Sequence, residues 1–227
     1  PTETQSDLPI VVITFDDAHH SIYDRGFALM RTMDSSWKGS HFFPLTHLGL
    51  PDNLKLAQVQ EMEAAGWENG GHGVTHENLA ALPMDSVRWQ VATVDSFFRA
   101  NGLRLDSWAY AYGNYNDSVE SIVASKVKNI RTSHDLDYIG SIDRLHLGYF
   151  AVKSEHTEQD LINRLEEATD NGARLVIFGF HVILDTSEAP VDVYYTRTPI
   201  FQAFLDYLKK REYPVKDLRD AMDILAE

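Results

Sequence analysis

Apolar residues recur along this chain in two alternating rhythms. Short continuous runs rich in β-branched residues, such as Pro9–Phe15 (PIVVITF) and Arg174–Phe180 (RLVIFGF), carry the pattern of strands buried on both faces. Between such runs the spacing changes to three and four residues. Asp85–Ala100 is the clearest case: Val87, Val91, Val94 and Phe98 share one helical face, and Gly102 closes it. The same reading predicts helices over Ser21–Met33, Leu54–Ala65, Asp117–Ser125, Thr157–Asn171 and Thr198–Arg211, and one more at the C-terminus. Gly66 fits a C-terminal cap, Thr157 an N-cap, and Pro199 a permitted first-turn position. Further strands are predicted at Ser40–Leu45, Trp67–Gly71, Ser107–Ala111, Lys128–Thr132, Leu147–Val152 and Tyr213–Val215.

Strands alternating with helices predict an α/β protein with a mostly parallel sheet. Seven or so units without an obvious linker point to a barrel, with a polar tail over residues 1–8 and one domain over 9–227. The one long irregular stretch is Val182–Arg197, which carries Pro190 and the pair Tyr194-Tyr195. Loops of that length inside a domain are often functional.

Composition narrows the partners. With 44% hydrophobic residues the 227-residue chain can bury a sizeable core, and no apolar run is long enough to span a bilayer. The net charge of −14 argues against nucleic acid, whose phosphates need Lys and Arg, and against anionic membrane surfaces; a neutral or cationic ligand fits better. The absence of cysteine excludes disulfides, thiolate metal sites and a Cys nucleophile. The sequence opens on a polar run, Pro1–Asp7, that does not read as a signal peptide.

Several polar groups follow directly on predicted strands: Asp16-Asp17, His72 with His76, Tyr112-Gly113, and His181. In a parallel barrel the carboxyl ends of the strands share one face, so these groups would converge there. His72 and His76, four residues apart, can meet one metal if the segment makes a helical turn, and imidazole suits zinc and its neighbours. A metalloprotease would need Glu after the first His, where this chain has Gly73. Of the adjacent Asp16 and Asp17, one carboxylate can bind a metal while the other takes a proton. His181 can be a third ligand, a general acid or a structural group. There is no G-x-S-x-G elbow, no phosphate-binding G-x-x-x-x-G-K-[ST] loop and no complete G-x-G-x-x-G.

The ordered set Thr14-Phe15-Asp16-Asp17, His72-x-x-x-His76, Tyr110-Ala111-Tyr112-Gly113 and a strand ending at His181 resembles the polysaccharide deacetylase family, carbohydrate esterase family 4 or the NodB homology domain. Ser40-His41-Phe42-Phe43 and the approach Ala64-Ala65-Gly66-Trp67-Glu68-Asn69-Gly70-Gly71 agree, so the resemblance spans roughly Ile10 to Ala221. It implies a distorted (β/α) barrel, often of seven strands. It implies one divalent metal held by Asp17, His72 and His76, with zinc first and cobalt or nickel as alternatives. It also implies Asp16 as general base, His181 as general acid, and the Tyr112 backbone N–H as oxyanion donor. The implied reaction is removal of acetyl groups from a glycan outside the cell, secreted, at the cell surface or in a periplasm. N-acetylglucosamine polymers come first, acetylated xylan second. Trp108, Tyr110 and Tyr194 are candidates to stack on sugar rings.

Two departures stand out. Ala109 occupies the position where many members carry an Arg that orients the base, and the later Asp that pairs with that Arg has only Asp135 or Asp137 as candidates. The first motif continues into Ala18 rather than Gly, followed by His19-His20. The missing Arg motivates another reading on the same fold, a glycan-binding domain without catalysis; a metal-dependent small-molecule amidase is a third.

Overall fold

A computed structural model describes residues 8–136, 138–190 and 192–225. Ten strands and seven α-helices follow one another along the described chain. The strands are β1 (Ile10–Asp16), β2 (Ser40–Phe43), β3 (Glu68–Gly71), β4 (Ser107–Ala109), β5 (Asn129–Arg131), β6 (Phe150–Ala151), β7 (Leu175–Phe180), β8 (Val182–Leu184), β9 (Tyr195–Arg197) and β10 (Val215–Lys216). The helices are α1 (Ala28–Met33), α2 (Leu56–Ala64), α3 (Met84–Ala100), α4 (Asp117–Ala124), α5 (Glu158–Asp170), α6 (Thr198–Lys210) and α7 (Leu218–Leu225).

Seven strands run in parallel in the order β5-β4-β3-β2-β1-β7-β6, and β10 pairs with the start of β1. Arg131 bridges to Leu147 just before β6, so the sheet curls towards closure as a distorted (β/α) barrel ringed by helices. The length of β1 follows from its composition: seven buried residues, mostly β-branched, pair with β7 over six positions. Its alternate side chains serve two layers. Val11, Ile13 and Phe15 join the large outer core under the helices, with Phe15 stacked 5.7 Å from Trp67. Ile10 and Val12 face the smaller inner core with Phe42, Ala109, Leu147 and Ile177, over which α7 packs Leu218 and Met222. The inner row continues to Thr14 and ends on Asp16, so a buried apolar strand delivers a carboxylate to its carboxyl end.

The α-helical rhythm holds with local exceptions. Thr157 caps α5 by accepting from the Asp160 amide, as the sequence predicts. The first helix opens as a π-helical turn over Ile22–Phe27 before α1. Val182–Arg197 is not wholly irregular, because β8 and β9 pair in parallel within it. Arg25 braces this segment through ion pairs to Asp185 and Glu188. No helix of the described residues is long and apolar enough to cross a membrane.

Candidate active site

The carboxyl ends of the strands open into a cavity of about 540 Å³. Its wall includes Asp16, Asp17, His72, His76, Tyr112 and His181, so all six residues singled out for chemistry meet in one place. They arrive from the ends of β1, β3, β4 and β7.

Backbone conformation explains how neighbours in sequence diverge. Asp16 completes β1 with extended geometry, whereas Asp17 turns into the left-handed region at φ 73°. His76 (φ 57°) and Tyr112 (φ 60°) do the same, and among the described residues only six non-glycines adopt such values. Left-handed backbone costs a non-glycine residue energy and collects at functional sites. The His72–His76 segment is therefore not the helical turn through which such spacing can bring two imidazoles to one metal. Gly73 at φ 85° and His76 bend it as a loop, which brings the two imidazoles to 4.9 Å between ring centroids.

Asp17, His72 and His76 each offer one ligand atom, all within 4.8 Å of one another. His72 donates from Nδ1 to the Ala109 carbonyl at 2.7 Å, which leaves Nε2 facing the Asp17 carboxylate at 3.5 Å. His76 Nε2 lies 3.1 Å from the same oxygen, Asp17 Oδ1, which is buried without a hydrogen-bond partner. Lone pairs of imidazole and carboxylate turned on one another require a proton or a cation between them. Burial works against the Asp17 charge, but the close approach of the His72 and His76 rings outweighs it and holds its carboxyl well below the usual range. His47 donates to the Asp17 backbone carbonyl at 3.0 Å and so supports the turn, a contact that nothing in the sequence marks. The donor set of two imidazoles and one carboxylate fits a zinc-like ion with an open position.

Asp16 is not one of this trio. Its side chain is 4% exposed and pairs through Oδ2 with the guanidinium of Arg131. Its Oδ1 is buried without a partner. His181 Nε2 lies 3.8 Å from Asp16 Oδ2, and the His181 ring sits 4.9 Å from Tyr194. Arg131 is the residue that the sequence reading misses. It lies in the predicted strand Lys128–Thr132, but only the register shows that it stands level with Ala109.

Other expectations are corrected. Trp108 is fully buried in the outer core against Gly71 and does not line the cavity. Tyr110 reaches the wall but is 3% exposed and stacks on Tyr115 at 5.0 Å; Tyr194, 38% exposed, borders the cavity openly. Tyr112 is 65% exposed, with its ring 4.9 Å from that of His76. Asp135 is engaged bidentately by Arg164, away from Asp16, and Asp137 lies outside the described residues. His19 and His20 bond to Ser21 and Asp24 and do not line the cavity.

A family model for polysaccharide deacetylases matches residues 4–127, more than half of the chain. The chain belongs to the polysaccharide deacetylase family. No curated protein matches it in sequence. Solved structures share the fold at low identity. A carbohydrate esterase family 4 pseudoenzyme from Bacillus anthracis superposes at TM-score 0.62 with 17% identity, over 96% of this chain and 66% of its own. The family 4 domain of a multidomain xylanase from the hindgut metagenome of Trinervitermes trinervoides gives 0.63 and 14%, over 96% and 91%. A Streptococcus pyogenes deacetylase in complex with acetate gives 0.58 and 23%, over 67% and 68%. This member of the family thus shares its fold both with deacetylases and with a protein described as a pseudoenzyme, so activity has to be argued from the site.

Proposed function

We propose that this chain is a metal-dependent carbohydrate deacetylase, with residues 9–227 as its catalytic domain. It hydrolyses N-acetyl groups of an N-acetylglucosamine polymer of the chitin, peptidoglycan or poly-N-acetylglucosamine type. The observation that carries the reading is one cavity holding the Asp17, His72 and His76 trio beside a separate carboxylate, Asp16, with one oxygen free. A glycan-binding domain without catalysis would have no use for a buried carboxylate, Asp16, set beside a half-buried one, Asp17, and divided from it in this way. Such polymers lie outside the cell, so a secreted, cell-surface or periplasmic location is proposed with them.

Asp17, His72 and His76 would hold the ion, zinc by the chemistry of the donor set, with cobalt or nickel as substitutes. When bound, a divalent cation there supplies Lewis acidity at the acetyl carbonyl and eases ionisation of water. The remaining steps fall to the chain's own groups. Asp16 accepts the proton of the attacking water at Oδ1 while Arg131 keeps Oδ2. The Tyr112 backbone N–H donates to the oxyanion as the carbonyl becomes tetrahedral. His181 gives its proton to the departing nitrogen as the C–N bond breaks, yielding acetate and an amine. Tyr194 offers an aromatic face to a sugar ring at the rim.

The test is acetate release from N-acetylglucosamine oligomers and from acetylated xylan, with and without a chelator. Release from the oligomers that is lost with chelator and restored by zinc supports the reading. Release from xylan alone would shift the substrate to an O-acetyl ester. No release from either, with metal bound, would leave a binding role.

A further inference from the structure

Arg131 is an unusual guest in the barrel interior. The inner core gathers apolar side chains such as Val12, Phe42 and Ala109, yet here the chain places a guanidinium that is 2% exposed. Three observations show that its seat is built. First, β5 pairs with β4 so that Arg131 stands opposite Ala109, and in-register residues of parallel neighbours point to the same face. The small Ala109 side chain leaves the space across which Arg131 reaches Asp16. Second, two rings hold the guanidinium plane, Tyr149 at 3.9 Å and Phe42 at 5.2 Å from their centroids. Third, the Tyr149 ring lies where a Cβ on Gly179 would overlap it, so β7 is thinned at that point to admit the ring.

A buried ion pair is seldom kept for stability, because desolvation cancels most of its attraction. What this pair achieves is geometric. Arg131 takes Oδ2 of Asp16 and leaves Oδ1 buried and unpartnered at the cavity. A carboxylate gripped at one oxygen cannot rotate the other away.

We infer that Arg131, packed against Tyr149 and Phe42, is the positioning residue of Asp16, and that this chain delivers from β5 the guanidinium absent at Ala109. The catalytic consequence rests on the deacetylase reading; the positioning does not.

The experiment compares wild type, Arg131→Lys, Arg131→Ala and the double variant Ala109→Arg with Arg131→Ala, by acetate release, bound metal and crystal structure. Lysine keeps a charge that Asp16 can pair with, so Arg131→Lys guards against a loss of folding, but it lacks the fork and the stacking plane. Arg131→Lys and Arg131→Ala should bind metal as wild type does, keep KM within about twofold and lose roughly 100-fold in kcat, the scale of a misplaced reacting group. In their crystals the Asp16 carboxylate should turn from its wild-type rotamer. Returning the guanidinium at position 109 should recover about tenfold or more of the kcat lost in Arg131→Ala and restore the rotamer, a rescue that a merely structural role does not predict. Wild-type kcat in Arg131→Lys and Arg131→Ala, or an unmoved Asp16 carboxylate in their crystals, would overturn the inference. If wild type itself releases no acetate, the deacetylase reading fails, and the Asp16 rotamer alone decides the positioning.

Discussion

Both ends of the barrel interior bury carboxylates, and they treat them in opposite ways. At the amino ends of the strands, Ser40, Glu68, Ser107 and Asn129 open β2 to β5. Glu68 there accepts from Ser40 at 2.8 Å, Ser107 at 2.6 Å and the Arg219 amide at 3.0 Å. Burial nevertheless pushes its carboxyl up, against those hydrogen bonds. Asp217, beside it, is pushed up to about 7 by burial and then by the Glu68 charge. At the carboxyl ends, Asp16 and Asp17 each keep one buried oxygen without a hydrogen bond, and the nearby histidines hold Asp17 far below its ordinary value. A saturated acid that favours its proton ties elements together, here β2, β3, β4 and α7. An acid kept charged with an orphaned oxygen at an open cavity is arranged for something that is to arrive.

The largest effects should come from breaking the carboxyl end. His76→Ala should lose bound metal and activity together, while Asp16→Asn should keep the metal and lose about 10³-fold or more in kcat. Metal analysis beside acetate release separates the two, and metal loss in Asp16→Asn would mean that the aspartates are not divided in labour. Glu68→Gln, at the other end, should leave kcat within about twofold, since no step touches it. A large kcat loss there with the fold intact would erase the contrast between the ends.

The next effect sharpens the reading within the site. His181→Gln should cost roughly 10²- to 10³-fold on an N-acetyl substrate and clearly less on an O-acetyl ester. An amine leaves poorly without a proton, whereas an alcohol is a better leaving group. Equal losses on both substrates would make His181 an orienting group rather than the acid.

The two ends also differ in how far the sequence discloses them. The apolar run of β1 and its terminal Asp16-Asp17 are local facts, and so are the ordered motifs that gather at the cavity. Arg131 is not, because its meaning depends on register with Ala109, set by strand pairing across a helix and two loops. A signal was present nonetheless: in Asn129-Ile130-Arg131, alternation puts Asn129 and Arg131 on the face opposite to the buried Ile130. The same parity argues against Trp108 as a sugar contact, since Ala109 faces the interior and its neighbour must face the helices. The path by which His72 and His76 meet is hidden for a different reason. Spacing reports distance along the chain, while Gly73 and His76 take left-handed backbone that the spacing does not encode. The polar knot of Glu68 and Asp217 is invisible in the sequence because its members come from β2, β3, β4 and the start of α7 and carry no motif.

The smallest effect tests that knot directly. Asp217 precedes α7 and accepts from the Asp220 amide at 2.7 Å, as a helix N-cap does. Its folded value of about 7 lies above the aspartate value of 3.8 in the free side chain. Below that free value both states hold the proton and nothing is lost. As pH rises from the free value to the folded one, the unfolded chain releases the proton first, so stability falls across that window and stays lower above it. Asp217→Asn removes the titration and keeps the cap, because asparagine serves there equally well. The variant should therefore exceed wild type in stability by on the order of 1 kcal/mol at pH 8, with the difference closing near pH 4. Urea unfolding of both proteins at pH 4, 6 and 8 reads it. A wild type that is the more stable at pH 8 would mean that Arg219, 3.4 Å from Asp217, keeps this acid charged. Both ends of the barrel would then hold ionised carboxylates, and only the orphaned oxygens and the cavity would distinguish the site from the knot.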